Sequence, residues 1–191
     1  MPKMKLDRPS VVAAAAQIAN ADGLEALTLN RLAETLGIQP PTLYNHIGGL
    51  AALRRELALL SNRALGERLA AAALARSGPE ALVALAQAYR DYIKQFPGQY
   101  AASLPASGAR PTPDPELAAS EERVLQVVLA VVASFGLGGA DALHAVRGLR
   151  AVVHGFATLE ASGGFGLPLD CDESFRRLIA MLQSGLTAKI I

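Results

Sequence analysis

Apolar positions recur every three or four residues along most of the chain, the period of helices that bury one face. Pro9 is acceptable in a first helical turn, and Val12, Ala15, Ala16 and Ala19 then repeat until Asp22 and Gly23 stop the pattern. Thr28 suits the N-cap of a second, two-turn helix in which Leu29, Leu32, Ala33 and Leu36 share a face and Gly37 supplies the left-handed end. The stretch "IQPPTLYNHIGGL", residues 38 to 50, predicts a third, proline-led helix with Leu43 and Ile47 turned inward. Pro41 biases Pro40 away from helical ψ, so this helix begins at Pro40 or one residue later. Residues 28 to 47 therefore read as helix, tight glycine turn, helix, the spacing of a helix-turn-helix.

A long fourth helix is predicted from about Gly49 to Arg76, ended by "SGPE", and a fifth over residues 79 to 96, with Pro97 opening a short sixth. "LPASGARPTPDP" packs four prolines into twelve residues and reads as an exposed loop. A seventh helix follows from Pro115 to Phe135 and an eighth from about Ala140 to Ser162. After the loop "GGFGLP", Asp172 caps a ninth in which Phe175, Leu178, Ile179, Leu182 and Leu186 share a face. The expected fold is all-α, with a three-helix helix-turn-helix domain over residues 1–48 and a six-helix body over 49–191.

Composition sharpens this picture at three points. Apolar residues make up 51% of the 191 and aromatics only 5%, as suits closely packed helices rich in Ala and Leu. A net charge of +1 gives no global sign of a nucleic-acid binder, so any DNA contact must be local. The single cysteine, Cys171, excludes an internal disulfide and a cysteine-based zinc cluster; it reads as a structural thiol in a reducing, cytoplasmic setting. Gln17 and Asn20 interrupt the one stretch that could imitate a signal peptide. The apolar, uncharged run Val124 to Ala140 falls short of the roughly 20 residues a membrane span needs, so no membrane partner is expected.

The third helix has the chemistry of a DNA-reading element. With Leu43 and Ile47 in the core, Gln39, Pro40, Thr42, Asn45 and His46 point outward, and the Tyr44 hydroxyl can reach a phosphate. The prolines fix φ without surrendering a helical hydrogen bond, and their apolar edge can meet a thymine methyl. Lys3, Lys5 and Arg8 add an arm suited to the DNA backbone. By composition alone, a short helix of this kind is also a solvated surface helix.

At "TLNRLAETLGIQPPTLYNHIGGLAALRREL" the sequence resembles the DNA-binding domain of the TetR family of bacterial one-component repressors, over about 45 residues that include "LAETLGI" and "TLYNHI". The resemblance implies a homodimeric all-α regulator that binds a double-stranded DNA operator and, in its C-terminal body, a small-molecule effector. Carried over by position, Thr28, Tyr44 and His46 would hold phosphates, Arg31 would reach the backbone, and Gln39, Thr42 and Asn45 would contact bases. Leu50 departs from the pattern: the family commonly places a phosphate-gripping lysine there, and Arg54 or Arg55 can substitute one turn on. The C-terminal body resembles a TetR subgroup with a Trp-His-Gly signature, present as "VHGF" at Val153 to Phe156 with Val153 in the tryptophan's place. The resemblance puts the dimer contact on the last two helices, with Leu149, Val152, Phe156, Phe175, Leu178 and Leu182 as candidates.

On the eighth helix Ala142, Ala145, Leu149, Val152, Phe156 and Leu159 form an apolar stripe, and Arg147, Arg150, His154 and Thr158 a polar one that faces a pocket or the rim. Arg150, His154 and Thr158, with Tyr92, Phe96 and Tyr100, are the candidate ligand contacts. Core packing accounts equally well for the aromatics, and a structural hydrogen bond for His154. No carboxylate or second histidine stands at ligand spacing from His154, so no metal is expected. No phosphate loop, nucleophile elbow or His–carboxylate–nucleophile set is present, so neither catalysis nor a cofactor is expected. The expected function is a ligand-responsive repressor released from a palindromic operator. The alternative is a helical ligand-binding or protein-interaction module with weak or vestigial DNA binding.

Overall fold

The structure, a computed structural model, describes residues 6–104 and 113–188. Lys3, Lys5 and most of the proline-rich loop expected at 104–115 lie outside the described residues. The described residues form the helices α1 (Arg8–Asp22), α2 (Leu29–Leu36), α3 (Pro40–Leu43), α4 (Leu50–Ala73), α5 (Gly78–Gln95), α6 (Pro97–Ser103), α7 (Pro115–Ala133), α8 (Gly139–Ala161) and α9 (Cys171–Thr187), with a 3₁₀ turn at Leu24–Ala26 and no strand among them. The all-α expectation and the helix order hold. No helix among the described residues is long and apolar enough to cross a membrane.

The chain divides into two compact units, Met1–Asn62 with Phe96–Ala118, and Arg63–Gln95 with Ala119–Ile191. Helix α4 contributes Leu50–Asn62 to the first and Arg63–Ala73 to the second. In the first unit α1 begins on a reciprocal cap: Asp7 Oδ1 accepts from the Ser10 amide at 3.0 Å and Ser10 Oγ accepts from the Asp7 amide at 3.0 Å. Val11, Ala15, Ala19, Leu27, Leu32, Leu43, Leu53 and Leu57 then close a core in which each is fully buried. Helix α6 lies so close on α1 that a Cβ at Gly98 would stand 2.0 Å from the Ala19 carbonyl oxygen. Beside that contact the Gln99 amide donates to Asn20 Oδ1 at 3.0 Å.

In the second unit α5 packs on α8, and both meet α9. The buried face of α8 consists of Ala142, Ala145, Val146, Leu149, Val153 and Ala157. The expected stripe is thus rotated: Val152 and Phe156 are half-buried and Leu159 is 50% exposed. The stripe drifts because 3.6 residues per turn carries a strict i, i+3, i+4 selection slowly around the helix, and the small Ala157 fits the interior better than Phe156. The α9 cap is also corrected. Asp170, not Asp172, holds the first turn by accepting from the Asp172 amide at 2.9 Å. Helix α4 stops at Ala73 rather than Arg76, where Ala75 takes a left-handed φ of 59°.

Candidate nucleic-acid interface

Thr28 caps α2, its Oγ1 accepting from the Arg31 amide at 3.2 Å. Gly37 ends α2 at φ 66°, donating to the carbonyls of Ala33 and Glu34, a conformation that costs an L-residue about 1 to 2 kcal/mol. Gln39 is the extended residue before α3, which starts at Pro40. The helix expected through Ile47 keeps only one α turn. Beyond Leu43 the chain winds more tightly: the amides of Tyr44, Asn45 and His46 donate to the carbonyls of Pro41, Thr42 and Leu43, three residues back, at 3.3, 3.2 and 2.9 Å. The Ile47 amide then bonds to Leu43 O at 2.9 Å, and Leu43 and Ile47 stay buried at 0% and 5% exposed.

This winding leaves one face of polar ends. Gln39 and Asn45 are exposed and Tyr44 is 61% exposed; Pro40, Thr42 and His46 are half-buried at its margin. Thr28 is exposed and Arg31 half-buried at the start of α2. The face offers an amide pair for base edges and hydroxyl and imidazole donors for phosphate oxygens.

The cations around it are engaged within the protein. Arg8 pairs with Glu56, Arg31 with Asp22, and Arg54 with Glu25 at 3.1 Å. Arg55 is held hardest. Its Nη2 donates to Asp114 Oδ1 at 2.8 Å and to Glu116 Oε2 at 2.7 Å, its Nε also meets Asp114, and these carboxylates raise its pKa. Arg54 has an 87%-exposed partner in Glu25 and a buried Nε with no hydrogen-bond partner, which makes it the more exchangeable of the two. Leu50, where a lysine was expected, is half-buried and packs against the core of the first unit.

Residues 11–57 match the family described as bacterial regulatory proteins, tetR family, and residues 82–182 match the tetracyclin repressor-like C-terminal domain. The chain belongs to the TetR family. It is 35% identical over 185 residues to the HTH-type transcriptional regulator YobS of Bacillus subtilis (strain 168), covering 97% of this chain and 95% of that protein. It is 33% identical to the HTH-type transcriptional regulator Rv0681 of Mycobacterium tuberculosis (strain ATCC 25618 / H37Rv), covering 95% and 82%. Among solved structures it resembles a TetR variant from Acinetobacter baumannii AYE in complex with minocycline, with a TM-score of 0.68, 25% identity, and coverage of 95% and 96%. This chain is accordingly a TetR-family, helix-turn-helix regulator of transcription.

The C-terminal body of this TetR-family chain places the remaining expected residues as follows. Tyr92 and Tyr100 are buried at 0% and 4% exposed and Phe96 is half-buried. Tyr92 falls in the second unit, Phe96 and Tyr100 in the first. Arg150, His154 and Thr158 do share a face of α8: the first and last are exposed, and His154 Nδ1 lies 3.4 Å from Thr158 Oγ1. Burial, and then the charge of Arg150, lower the pKa of His154. Of the residues expected at a subunit contact, Leu149 and Phe175 are 1% and 3% exposed and belong to the interior of their own chain. Val152, Phe156, Leu178 and Leu182 are half-buried.

Sequence reasoning missed Arg90. It is 1% exposed and held by Glu160 through two bonds of 2.7 Å. The signal was present: Arg90 keeps helical step with Leu82, Ala86 and Ile93, a charge inside an apolar stripe.

Proposed function

We propose that this TetR-family regulator is a repressor that binds a roughly palindromic operator as a homodimer and is released by a small molecule. The observation that carries the reading is the one-turn α3 and its tight continuation: Leu43 and Ile47 are sunk in the core while Gln39, Tyr44 and Asn45 stand in solvent. In this reading Thr28, Tyr44, His46 and Arg31 hold phosphates, and Gln39, Pro40, Thr42 and Asn45 meet base edges. DNA reading rests with residues 1–48, ligand and partner binding with 49–191, and a cytoplasmic place follows from the DNA target. Within the second unit, Arg150, His154 and Thr158 are the polar contacts proposed for an effector, with Tyr92 as an apolar one. Relatedness to a repressor structure that holds minocycline supports a small-molecule effector without naming it. The "VHGF" at Val153–Phe156 supports the subgroup with a Trp-His-Gly signature. Release needs an effector that binds the non-DNA-binding conformation more tightly than the other.

A second reading, a ligand-binding module with weak DNA affinity, is favoured by one observation. Every arginine of the first unit among the described residues, Arg8, Arg31, Arg54 and Arg55, already pairs with a carboxylate. A gel shift with the DNA flanking the chain's own coding region, taken across a salt series, separates the two. The repressor reading requires a sequence-preferring complex whose affinity falls steeply with salt. Equal, weak binding to every probe would leave the second reading standing.

A further inference from the structure

The arginine pairs of the first unit are of two kinds, separated by the exposure of the carboxylate. Glu56, which holds Arg8, and Asp114, which holds Arg55, are 20% and 19% exposed, so either would be left a part-buried anion if its arginine moved away. Asp22 and Glu25, which hold Arg31 and Arg54, are 46% and 87% exposed and would return to water at little cost. The Nε of Arg54 is buried without a hydrogen-bond partner, so an outward move of that side chain breaks no bond there.

Both exposed carboxylates belong to one short link. Asp22 is the last residue of α1 and Glu25 the middle of the 3₁₀ turn Leu24–Ala26, which leads to Thr28, the cap of α2. The link is stiff: Gly23 turns it at φ 88°, and the amides of Ala26 and Leu27 donate to the carbonyls of Gly23 and Leu24 at 3.2 Å. Leu24 packs on the core and Leu27 is fully buried, which leaves Asp22 and Glu25 outside at fixed positions. Their arginines come from two elements beside the polar face. Arg31 lies on the first turn of α2, its amide on Thr28 Oγ1. Arg54 lies about 7.5 Å of helix rise beyond Gly49, where an added Cβ would stand 4.0 Å from the Tyr44 ring.

We propose that Asp22 and Glu25 stand in for two DNA phosphates in the free protein, and that Arg31 and Arg54 exchange these carboxylates for backbone phosphates when the helix-turn-helix docks. The carboxylates then set how tightly the chain grips any duplex without changing which sequence it prefers, because a phosphate carries no sequence information. The inference rests on the DNA-binding reading of the first unit, and it gives Arg54 the phosphate contact that Leu50 cannot make.

Fluorescence anisotropy of the full chain with two labelled duplexes, the DNA flanking its coding region and a scrambled duplex of equal length, is the test. Asp22→Asn and Glu25→Gln should each tighten both duplexes alike, by about twofold to fivefold, the worth of an exposed ion pair. Arg31→Gln and Arg54→Gln should each weaken both and lower the salt slope by about one. In the Arg31→Gln background Asp22→Asn should lose its gain, and Glu25→Gln likewise in the Arg54→Gln background. Glu34→Gln, at an exposed carboxylate of α2 outside these pairs, should change neither duplex. An equal gain from Glu34→Gln, or a gain that survives removal of the arginine, would make the effect one of net charge and overturn the proposal. A gain at one pair only overturns the exchange at the other, and if one carboxylate variant fails to fold, the other pair decides. If the parent prefers its own flanking DNA and both carboxylate variants merely match it, the DNA reading stands and the exchange falls. If the parent and every variant bind both duplexes equally weakly, the DNA reading falls and the exchange with it.

Discussion

Tyr44 and Asn45 are adjacent and exposed, yet they carry different kinds of information. A tyrosine hydroxyl on a phosphate is blind to sequence, whereas an amide that pairs with a base edge distinguishes one base from another. Tyr44→Phe should weaken binding to all probes alike. Asn45→Ala should cost about 1 to 3 kcal/mol on the preferred operator and much less on altered ones. Competition gel shifts with single-base operator variants check both, and unchanged affinity in both variants would remove α3 from the interface. In the second unit, Glu160 contributes to stability in a pH-dependent way. Its hydrogen bonds with Arg90, above all, hold its pKa below the ordinary carboxylate value. A depressed carboxylate stabilises the fold above its unfolded pKa, near 4.3, and that stabilisation is lost as pH falls through the lower folded value. Glu160→Gln leaves the buried Arg90 with the exposed Asp172 alone and should cost about 3 to 5 kcal/mol at pH 7. The gap to the parent, read by urea denaturation, should close as pH is lowered below about 4.

At the scale of the helix, the contact most sensitive to a single methyl group is α6 on α1. A Cβ on Gly98 would lie 2.0 Å from the Ala19 carbonyl oxygen and 2.6 Å from the Asn20 amide nitrogen, both backbone atoms that cannot swing aside. Gly98→Ala must therefore lift α6 and stretch the Gln99–Asn20 bond. Such overpacking typically costs about 1 to 3 kcal/mol, which thermal unfolding would register. An unchanged melting temperature would show that α6 does not rest on α1. The same elements show what could be read from sequence. Thr28, Gly37 and the inward pair Leu43 and Ile47 were legible because capping, left-handed turns and helical spacing are local rules. The collapse of α3 to one α turn was not legible, because i→i−3 and i→i−4 winding turn nearly the same side chains inward. The α9 cap was missed by two residues because Asp170 and Asp172 are equally good caps in isolation, and packing against Arg90 claims the second. The exposed arginine pairs were not legible either, because no periodicity brings Asp22 to Arg31 or Glu25 to Arg54.

At the scale of the whole molecule, the repressor reading requires two copies, because a palindromic operator is matched by two recognition elements related by a two-fold axis about one DNA turn apart. A two-fold contact uses the same patch on both subunits, so it has to be apolar and exposed in the single chain. That criterion removes Leu149 and Phe175, which are spent inside, and leaves the outer face of α9, where Leu178 and Leu182 are half-buried and Met181 is 65% exposed. One charge at this patch occurs twice across the axis, each copy desolvated against apolar neighbours and close to its own image. Leu182→Asp, and independently Met181→Asp, should therefore yield monomers in sedimentation velocity with helical content unchanged by circular dichroism. Affinity for a full palindrome should fall toward that for a half-site, because the second domain is no longer held at high effective concentration. Unaltered mass in both variants would place the interface elsewhere than on α9, whereas a monomer that still binds the palindrome as tightly as the parent would sever dimerisation from operator recognition.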